Sequence, residues 1–430
     1  MKKKTIFALV DCNTYYVSCE RVFNPKLENI PVIILSNNDG CAVALSKEAK
    51  NLGIKRGDPF FKVEKLLKKG KGVALSSNYS LYGDLSNRIM ETLEGLCPQM
   101  EIYSIDEAFL NLSGLEHLGL DEYARFIKDK VRRDVGIPVS VGIAYTKVLA
   151  KVANWHAKKS TKAEGVLDLT DERYLDEALR RIPVGEIWGV GRRSAEKLKL
   201  MGIHTGLDLR DYPNERLILK VLTKTGRQVQ DELRGINCFE IETTANIKKQ
   251  IISSKSFGHG VSDKFEVREA LASYVSRASE KLRGQGSSCR TLSIWLTTNP
   301  FSKTPQYFNE HSAKFLSPTS DTRRLIKEAF SLLDEIFREG FIYKKVGVSL
   351  SSLAEKEMGQ LNFFEKSDDP KSESLMKVID AINQREGRET IKPLACGVNP
   401  MWKMMCKKKS AHFTSRWSEI LCIDIDKKVG

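Results

Sequence analysis

The sequence predicts an α+β fold that is divided into several domains. Between residues 250 and 352 the pattern indicates strand, helix, strand, strand, helix and strand, which is the βαββαβ order of a split βαβ unit. Before that unit, short apolar runs typical of strands alternate with stretches typical of helices. At 430 residues the chain exceeds what one hydrophobic core usually organises, and 41% of the residues are apolar, so we expect three or four domains.

The first element is a buried strand. The apolar run from Ile6 to Val10 predicts it and places Asp11 at its carboxyl end, and a helix is predicted from Tyr15 to Arg21. Further along the chain we predict strands over 32–35 and 139–144, a turn over 37–40, a strand or hairpin arm over 101–112, and helices over 45–52 and 146–158.

The second half of the chain is predicted to begin with two short helices within 182–203, joined by a bend at Gly189 to Gly191. The βαββαβ unit follows as strands over 250–257, 291–297, 306–316 and 343–349 and helices over 267–283 and 322–338. The polar stretch 365–373 is typical of a linker, and a helix is predicted over 374–385.

The net charge favours a polyanionic partner. Lys and Arg number 69 against 55 Asp and Glu, which gives +14. A basic surface that serves solubility is an equally simple explanation of charge alone. The excess is spread over the chain and is densest in the βαββαβ unit, at +6 for residues 244–355, which fits an extended groove for nucleic acid.

The nine cysteines form no C-x-x-C pair, so the sequence indicates neither a disulfide framework nor a zinc cluster. The apolar run after Lys2 to Lys4 is too short for a signal peptide, and no run reaches transmembrane length. We therefore expect a reduced, cytoplasmic protein with no membrane partner.

Two adjacent acids interrupt an apolar segment. Asp106 and Glu107 lie within residues 105–110, where carboxylates without water repel each other and need a cation. Mg2+ is the simplest candidate, because it takes carboxylate oxygens together with substrate phosphates. Strand neighbours point to opposite faces, so both acids can join one site only near a bend or strand edge. An exposed turn with incidental acids is the plainer explanation of the pair taken alone.

The bend at Gly189 and Gly191 can aim backbone N–H groups at a phosphate, with charge added by Arg192 and Arg193. A glycine-capped helix turn is the alternative. The sequence contains no P-loop, no metalloprotease H-E-x-x-H and no nucleophile elbow, and its six histidines form no ligand cluster in sequence.

Three segments stand out together: residues 11–20 (DCNTYYVSCE), residues 103–110 (YSIDEAFL), and residues 140–143 (SVGI) followed by Lys147, Ala150, Lys151 and Ala153. In order and separation they resemble Y-family, translesion DNA polymerases, and most closely the UmuC-type catalytic subunit of bacterial DNA polymerase V. The stretches 36–41, 77–84 and 86–88 favour the UmuC type. The resemblance covers essentially the whole chain.

The resemblance implies a right-hand polymerase with palm, small fingers, helical thumb and little finger. It assigns the catalytic palm to 1–20 and 77–165, the fingers to 21–76, a thumb with a helix-hairpin-helix to 166–243, the DNA-binding little finger to 244–355, a clamp-binding peptide and linker to 356–373, and a C-terminal extension to 374–430.

The resemblance also implies the catalytic groups. Asp11 and Asp106 would bind metal, and Glu107 would complete a two-ion Mg2+ site beside the primer 3′-hydroxyl, with Mn2+ as a substitute. Tyr16 stands where the family has its steric gate against ribose. Lys158 matches a residue that contacts the triphosphate, and Lys50 stands where many relatives have Arg.

The segment Gln360-Leu361-Asn362-Phe363-Phe364 resembles the peptide by which bacterial polymerases bind the sliding clamp. Packing of a strand end on the little finger is the alternative. The family also implies a cleaved UmuD-type accessory subunit and a recombinase filament as partners.

These observations predict an error-prone, template-directed DNA polymerase that performs translesion synthesis in DNA repair and the SOS response. Two alternatives are kept: a non-catalytic scaffold that binds damaged DNA, and a metal-dependent nuclease.

Overall fold

The computed structural model describes residues 4–244, 247–355 and 369–420. Two compact units are present. The first comprises residues 1–36, 41–245 and 408–430, and the second comprises residues 37–40 and 246–407. The last part of the chain therefore contributes to both units.

A five-stranded sheet organises the first unit, with strand order β5-β6-β1-β7-β8. Its strands are β1 (Phe7–Cys12), β5 (Gln99–Ile102), β6 (Glu107–Asn111), β7 (Val139–Ala144) and β8 (Val166–Asp168). A second, three-stranded sheet has the order β3-β2-β4 and consists of β2 (Val32–Leu35), β3 (Ala42–Leu45) and β4 (Val73–Ser76).

Among the described residues, ten α-helices complete the first unit. They are α1 (Tyr15–Phe23), α2 (Lys47–Asn51), α3 (Phe60–Lys69), α4 (Tyr79–Glu94), α5 (Leu120–Val135), α6 (Lys147–Lys159), α7 (Glu172–Arg181), α8 (Arg192–Leu200), α9 (Gly206–Asp211) and α10 (Glu215–Leu233).

Strand β1 is buried on both faces, as its unbroken apolar run predicted. Because side chains alternate along a strand, Ala8 and Val10 enter the core shared with α4 and α5, whereas Phe7 and Leu9 enter the core shared with α6. The close approach of α6 to β7 depends on Gly142, where an added Cβ would lie 2.1 Å from the backbone nitrogen of Asn154. The helices packed on both faces of the sheet therefore hold the end of β1, where Asp11 lies, in a fixed position.

The second unit contains the βαββαβ order that the sequence predicted. Its elements are β9 (Ile251–Val261), α11 (Lys264–Gly284), β10 (Ser287–Thr298), β11 (Phe308–Thr319), α12 (Thr322–Ile336) and β12 (Tyr343–Glu355). The strands pair in the order β11-β10-β12-β9, all antiparallel. The apolar faces of α11 and α12 pack on this sheet to form a separate core.

A final helix, α13 (Pro370–Arg385), packs on the second unit through polar contacts. Asp380 accepts two hydrogen bonds from Arg283, at 2.6 and 2.7 Å. Later in the tail, the ring of Trp402 packs edge-on against Tyr274 at 5.6 Å.

Three predicted elements differ from the structure, and several elements, among them β3, β4 and α3 to α5, were not predicted. The helix predicted over 45–52 is shorter because Ser46 caps α2 and ends the β3 segment. The first of the two helices predicted within 182–203 is a three-residue 3-10 turn, Val184–Glu186. The predicted linker over 365–373 is helical from Pro370, because Asp369 caps the helix and Pro370 suits its first position.

Candidate active site

The structure brings Asp11 and Glu107 together across two strands. Strands β1 and β6 pair antiparallel, and in their register Asp11 lies directly opposite Glu107. The backbone nitrogen of Cys12 donates to the carbonyl oxygen of Asp106 at 2.9 Å, which places Asp106 beside the same sheet end. Two sequence segments about 95 residues apart thus meet through strand pairing.

The bend that the acidic pair required is present. Strand β5 ends at Ile102 and β6 begins at Glu107, so Asp106 lies in the connecting turn rather than within a strand. Asp106 Oδ1 accepts a hydrogen bond from Ser104 Oγ at 2.7 Å. The turn therefore frees Asp106 from the alternation that would have sent its side chain to the opposite sheet face from Glu107.

Asp11 and Glu107 share a hydrogen bond between their carboxyl groups. Burial raises the pKa of Asp11 to about 7, although the charge of Lys158 opposes that change. For Glu107, burial acts to raise the pKa, but the hydrogen bond from Asp11 and the charge of Lys151 lower it overall. Burial thus favours the neutral form of Asp11, whereas the hydrogen bond from Asp11 and the charge of Lys151 favour the charged form of Glu107.

Two lysines of α6 also neutralise the site. Lys158 Nζ lies 2.5 Å from Asp11 Oδ1, and Lys151 Nζ lies 3.0 Å from Glu107 Oε2. Lys158 was predicted to contact the triphosphate. Lys151 was named as part of the third family segment, but its ion pair with Glu107 was not predicted. The spacing of seven residues puts both side chains on one face of α6, and that periodicity could have identified Lys151.

The donor set fits a hard divalent cation in chemistry. It consists of carboxylates alone, and two of them, Asp11 and Glu107, lie opposite each other in the strand register. Within residues 4–244, 247–355 and 369–420, however, no three His, Cys, Asp or Glu side chains are arranged as a metal-binding group. The structure thus brings Asp11 and Glu107 together, and Asp106 lies next to them through its backbone hydrogen bond to Cys12.

Tyr16 lies five residues after Asp11 in α1 and belongs to a cluster of tyrosines. Its ring stacks on Tyr82 with centroids 4.5 Å apart and an interplanar angle of 15°, and it meets Tyr79 edge-on at 6.2 Å. Burial raises the pKa of the Tyr16 phenol, and the charge of Arg56 acts in the opposite direction. Tyr16 is half-buried, and its ring is held from one side by Tyr82.

Lys50, the other basic residue predicted near the triphosphate, forms no ion pair with the acids among the described residues. It is exposed in the last turn of α2. Arg56, whose charge reaches Tyr16, was not predicted. Its only sequence signal is its place in an exposed turn between Gly53 and Gly57, both with positive φ.

The glycine bend begins α8 as predicted. Gly189 has φ of +83°, a conformation that favours glycine, and Gly191 is the N-cap residue of α8. A Cβ at Gly191 would meet nothing within 4 Å, so this glycine leaves the helix N-terminus open. Arg192 and Arg193 are exposed beside it. The predicted clamp-binding residues Gln360, Leu361, Phe363 and Phe364 lie outside the described residues.

Comparison with known proteins identifies the family. Residues 10–154 match the model of the impB/mucB/samB family, residues 172–203 its HHH motif, and residues 248–363 its C-terminal domain. UmuC of Salmonella typhimurium is 42% identical over 421 residues, which covers 97% of this chain and 99% of that protein. The chain belongs to the impB/mucB/samB family.

Further relatives agree with this family. ImpB of Salmonella typhimurium is 40% identical, with 96% of this chain and 99% of ImpB covered. DNA polymerase IV 2 of Bacillus subtilis is 31% identical, with 91% of this chain and 94% of that protein covered. The predicted resemblance to UmuC-type, Y-family polymerases and the predicted translesion DNA polymerase function are confirmed at the level of the family.

Solved structures agree in fold. A Y-family DNA polymerase chimera of Dbh and Dpo4 has a TM-score of 0.64 at 22% identity, covering 81% of this chain and 98% of the chimera. The insertion ternary complex of Dbh DNA polymerase has a TM-score of 0.55 at 22% identity, covering 80% of this chain and 98% of that chain. The predicted α+β polymerase fold is therefore confirmed.

Two findings bear on the remaining predictions. Residues 373–423 of this impB/mucB/samB family member match a domain of unknown function, DUF4113, which coincides with the predicted C-terminal extension. In the described segments, no helix is both long and apolar enough to cross a membrane. Y-family DNA polymerases are metal-dependent enzymes.

Proposed function

We propose that this chain extends a DNA primer with deoxynucleoside triphosphates, directed by a template that includes damaged positions. The observation that carries the proposal is the register that sets Asp11 opposite Glu107, with Asp106 in the adjoining turn. Three carboxyl groups at one sheet end are the donor type that phosphoryl transfer requires. The relationship to UmuC and to DNA polymerase IV 2 supports the same chemistry.

We propose that Asp11, Asp106 and Glu107 hold two Mg2+ ions, for which Mn2+ can substitute. When bound, such ions neutralise the charge on the attacking and leaving oxygens of an in-line displacement. Asp11 and Asp106 would contribute ligands from β1 and the turn before β6, and Glu107 would complete the site beside the primer 3′-hydroxyl. Lys158, at 2.5 Å from Asp11 Oδ1, is close enough to the acids to contact triphosphate oxygens at the same site.

Sugar selection is assigned to Tyr16. Its ring would pack against the incoming deoxyribose, where a ribose 2′-hydroxyl would clash. The stacking of Tyr16 on Tyr82 supports this role, because a ring that is held from behind can exclude a hydroxyl group by shape. Lys50 is assigned to the triphosphate on its resemblance alone.

Contacts to the DNA backbone are assigned to the bend at Gly189 and Gly191 with Arg192 and Arg193, and to the second unit. Open backbone N–H groups at the start of α8 suit phosphate oxygens without reading base sequence. The net charge of +6 over residues 244–355 supports a sequence-independent electrostatic contribution.

The protein partners are proposed from the family relationship and from sequence. A cleaved UmuD-type subunit and a recombinase filament are proposed from the resemblance of the sequence to UmuC-type polymerases, and the similarity to UmuC supports the UmuD-type subunit. The sliding clamp is proposed to bind residues 360–364.

A primer-extension assay tests the proposed reaction. Wild-type protein, Mg2+ and a primed template with an abasic site should give products longer than the primer that continue beyond the lesion. Primer shortening would instead identify a metal-dependent nuclease. Binding to primed DNA without any change in primer length would identify a non-catalytic scaffold.

Clamp binding is tested by removing the peptide. Deleting residues 360–364 should abolish the stimulation of synthesis by the clamp while basal extension stays within about twofold, because the peptide lies outside the catalytic segments. The control replaces residues 365–368 with four Gly or Ser residues and should keep the stimulation. Stimulation that survives the deletion contradicts the proposed docking.

A further inference from the structure

The tail segment from Lys408 to Phe413, which lies within the domain of unknown function, packs on the first unit. Ser76, at the end of β4, pairs with it: Ser76 nitrogen donates to the Lys408 carbonyl at 3.0 Å, and Lys408 nitrogen donates to Ser76 Oγ at 2.9 Å. The ring of Phe413 stacks on Phe23 of α1 at 4.9 Å with an interplanar angle of 3°. Both ends of the segment are thus attached to the unit that carries the acids.

Between these attachments, Ser410 joins a chain of hydrogen bonds that leads to a buried carboxylate. Asn78 Nδ2 donates to Ser410 Oγ at 2.9 Å, and Ser410 Oγ donates to Glu20 Oε1 at 3.1 Å. The same Glu20 oxygen accepts from the hydroxyl of Tyr82 at 2.8 Å. Glu20 and Tyr82 are 1% and 0% exposed, so solvent does not compete for the bond between these two residues, whereas the two bonds of Ser410 are partly buried.

The chain of contacts ends at the proposed steric gate. Tyr82 stacks on Tyr16 at 4.5 Å, and Glu20 lies one helical turn after Tyr16 on α1. A ring stacked on an apolar neighbour alone could slide, because stacking has a shallow dependence on offset. The hydroxyl bond of Tyr82 to Glu20 fixes that offset, and Ser410 helps to hold Glu20.

Burying the carboxylate of Glu20 removes it from water, and the lost hydration destabilises the fold even where hydrogen bonds partly replace it. Packing alone needs no charge here, because α1 and α4 already share an apolar core through residues such as Val17 and Leu85. The unfavourable free energy of burying Glu20 is understandable if the orientation of Tyr82 matters more for function than the stability of the fold.

We propose that Glu20, Tyr82 and the tail residue Ser410 are positioning residues that hold the ring of Tyr16 and so set the discrimination between deoxyribonucleotides and ribonucleotides. The inference rests on the proposed gate role of Tyr16. It gives the tail segment of the domain of unknown function a part in substrate selection.

Full-length Ser410→Ala and Tyr82→Phe proteins test the proposal. Each removes one hydroxyl of the chain and leaves the acids, Tyr16 and the stacked ring in place. The ratio of kcat/KM for a deoxynucleotide to that for the matching ribonucleotide should fall about threefold to tenfold, the equivalent of one hydrogen bond. The value for the deoxynucleotide alone should stay within about twofold. Glu20→Gln should keep wild-type selectivity because its amide oxygen still accepts both bonds, whereas Glu20→Ala should lose selectivity.

Matched controls separate positioning from general destabilisation. Tyr123→Phe removes another tyrosine hydroxyl bond of the first unit, to Leu96 oxygen at 2.7 Å, and Ser415→Ala removes an exposed hydroxyl from the tail. Both controls should retain wild-type selectivity. In a Tyr16→Ala background, Ser410→Ala should change selectivity no further, because the ring that it positions is gone.

Three results overturn the inference. Selectivity that is unchanged in Ser410→Ala and Tyr82→Phe while Tyr16→Ala relaxes it would leave the gate in place and remove its proposed support. An equal loss of kcat/KM for both sugars would show a structural role only. If Tyr16→Ala itself left selectivity unchanged, the gate proposal would fail and this inference with it.

Discussion

Replacing Asp106 by Asn should reduce primer extension in Mg2+ by about 10²- to 10³-fold or more, the scale on which removal of one charge-stabilising group slows an enzyme. Asn keeps the shape of the side chain and an oxygen that can accept from Ser104 Oγ, so the turn before β6 should be preserved. The negative charge is lost, and with it a ligand for the proposed ions. The readout is the rate of extension on a primed template with an abasic site.

The matched control is Asp129→Asn, which makes the same chemical change at an exposed position of α5. This variant should extend primers at the wild-type rate, and both variants should bind primed DNA as the wild type does. Equal extension by Asp106→Asn and wild type would remove Asp106 from the catalytic assignment.

Replacing Tyr16 by Ala should raise ribonucleotide incorporation relative to deoxynucleotide incorporation by on the order of 10- to 100-fold, the range over which a pocket discriminates by shape. The substitution removes the ring that stacks on Tyr82 and opens the space beside it. The measurement is kcat/KM for each sugar with the same base. Tyr16→Phe keeps the ring and should keep the selectivity, and unchanged selectivity in Tyr16→Ala would contradict the gate role.

Local pattern was enough to predict parts of this site. The apolar run from Ile6 to Val10 placed Asp11 at a strand end, and β1 indeed ends one residue later, at Cys12. The βαββαβ order was predictable because its helices are amphipathic and its strands are separated by clear turns. In both cases each helix or strand is indicated by the pattern of its own consecutive residues.

Pairing over long sequence distances was beyond local pattern. The register of Asp11 with Glu107 depends on which strands become neighbours, and the sequence supplied that only through a family resemblance. The contact of Ser410 with Glu20 joins residues 390 positions apart and was not predicted at all. The ion pair of Lys151 with Glu107 was missed for a different reason. The seven-residue spacing in α6 already placed Lys151 on the same helix face as Lys158, and this was not used.

The most direct test is a crystal structure with primed DNA, an incoming deoxynucleotide that cannot react, and Mn2+ located by its anomalous scattering. We expect two Mn2+ ions, each with an oxygen ligand from Asp11 or Asp106, and with Glu107 completing the site beside the primer end. Mn2+ bound away from both aspartates, in a protein that still extends primers, would contradict this expectation.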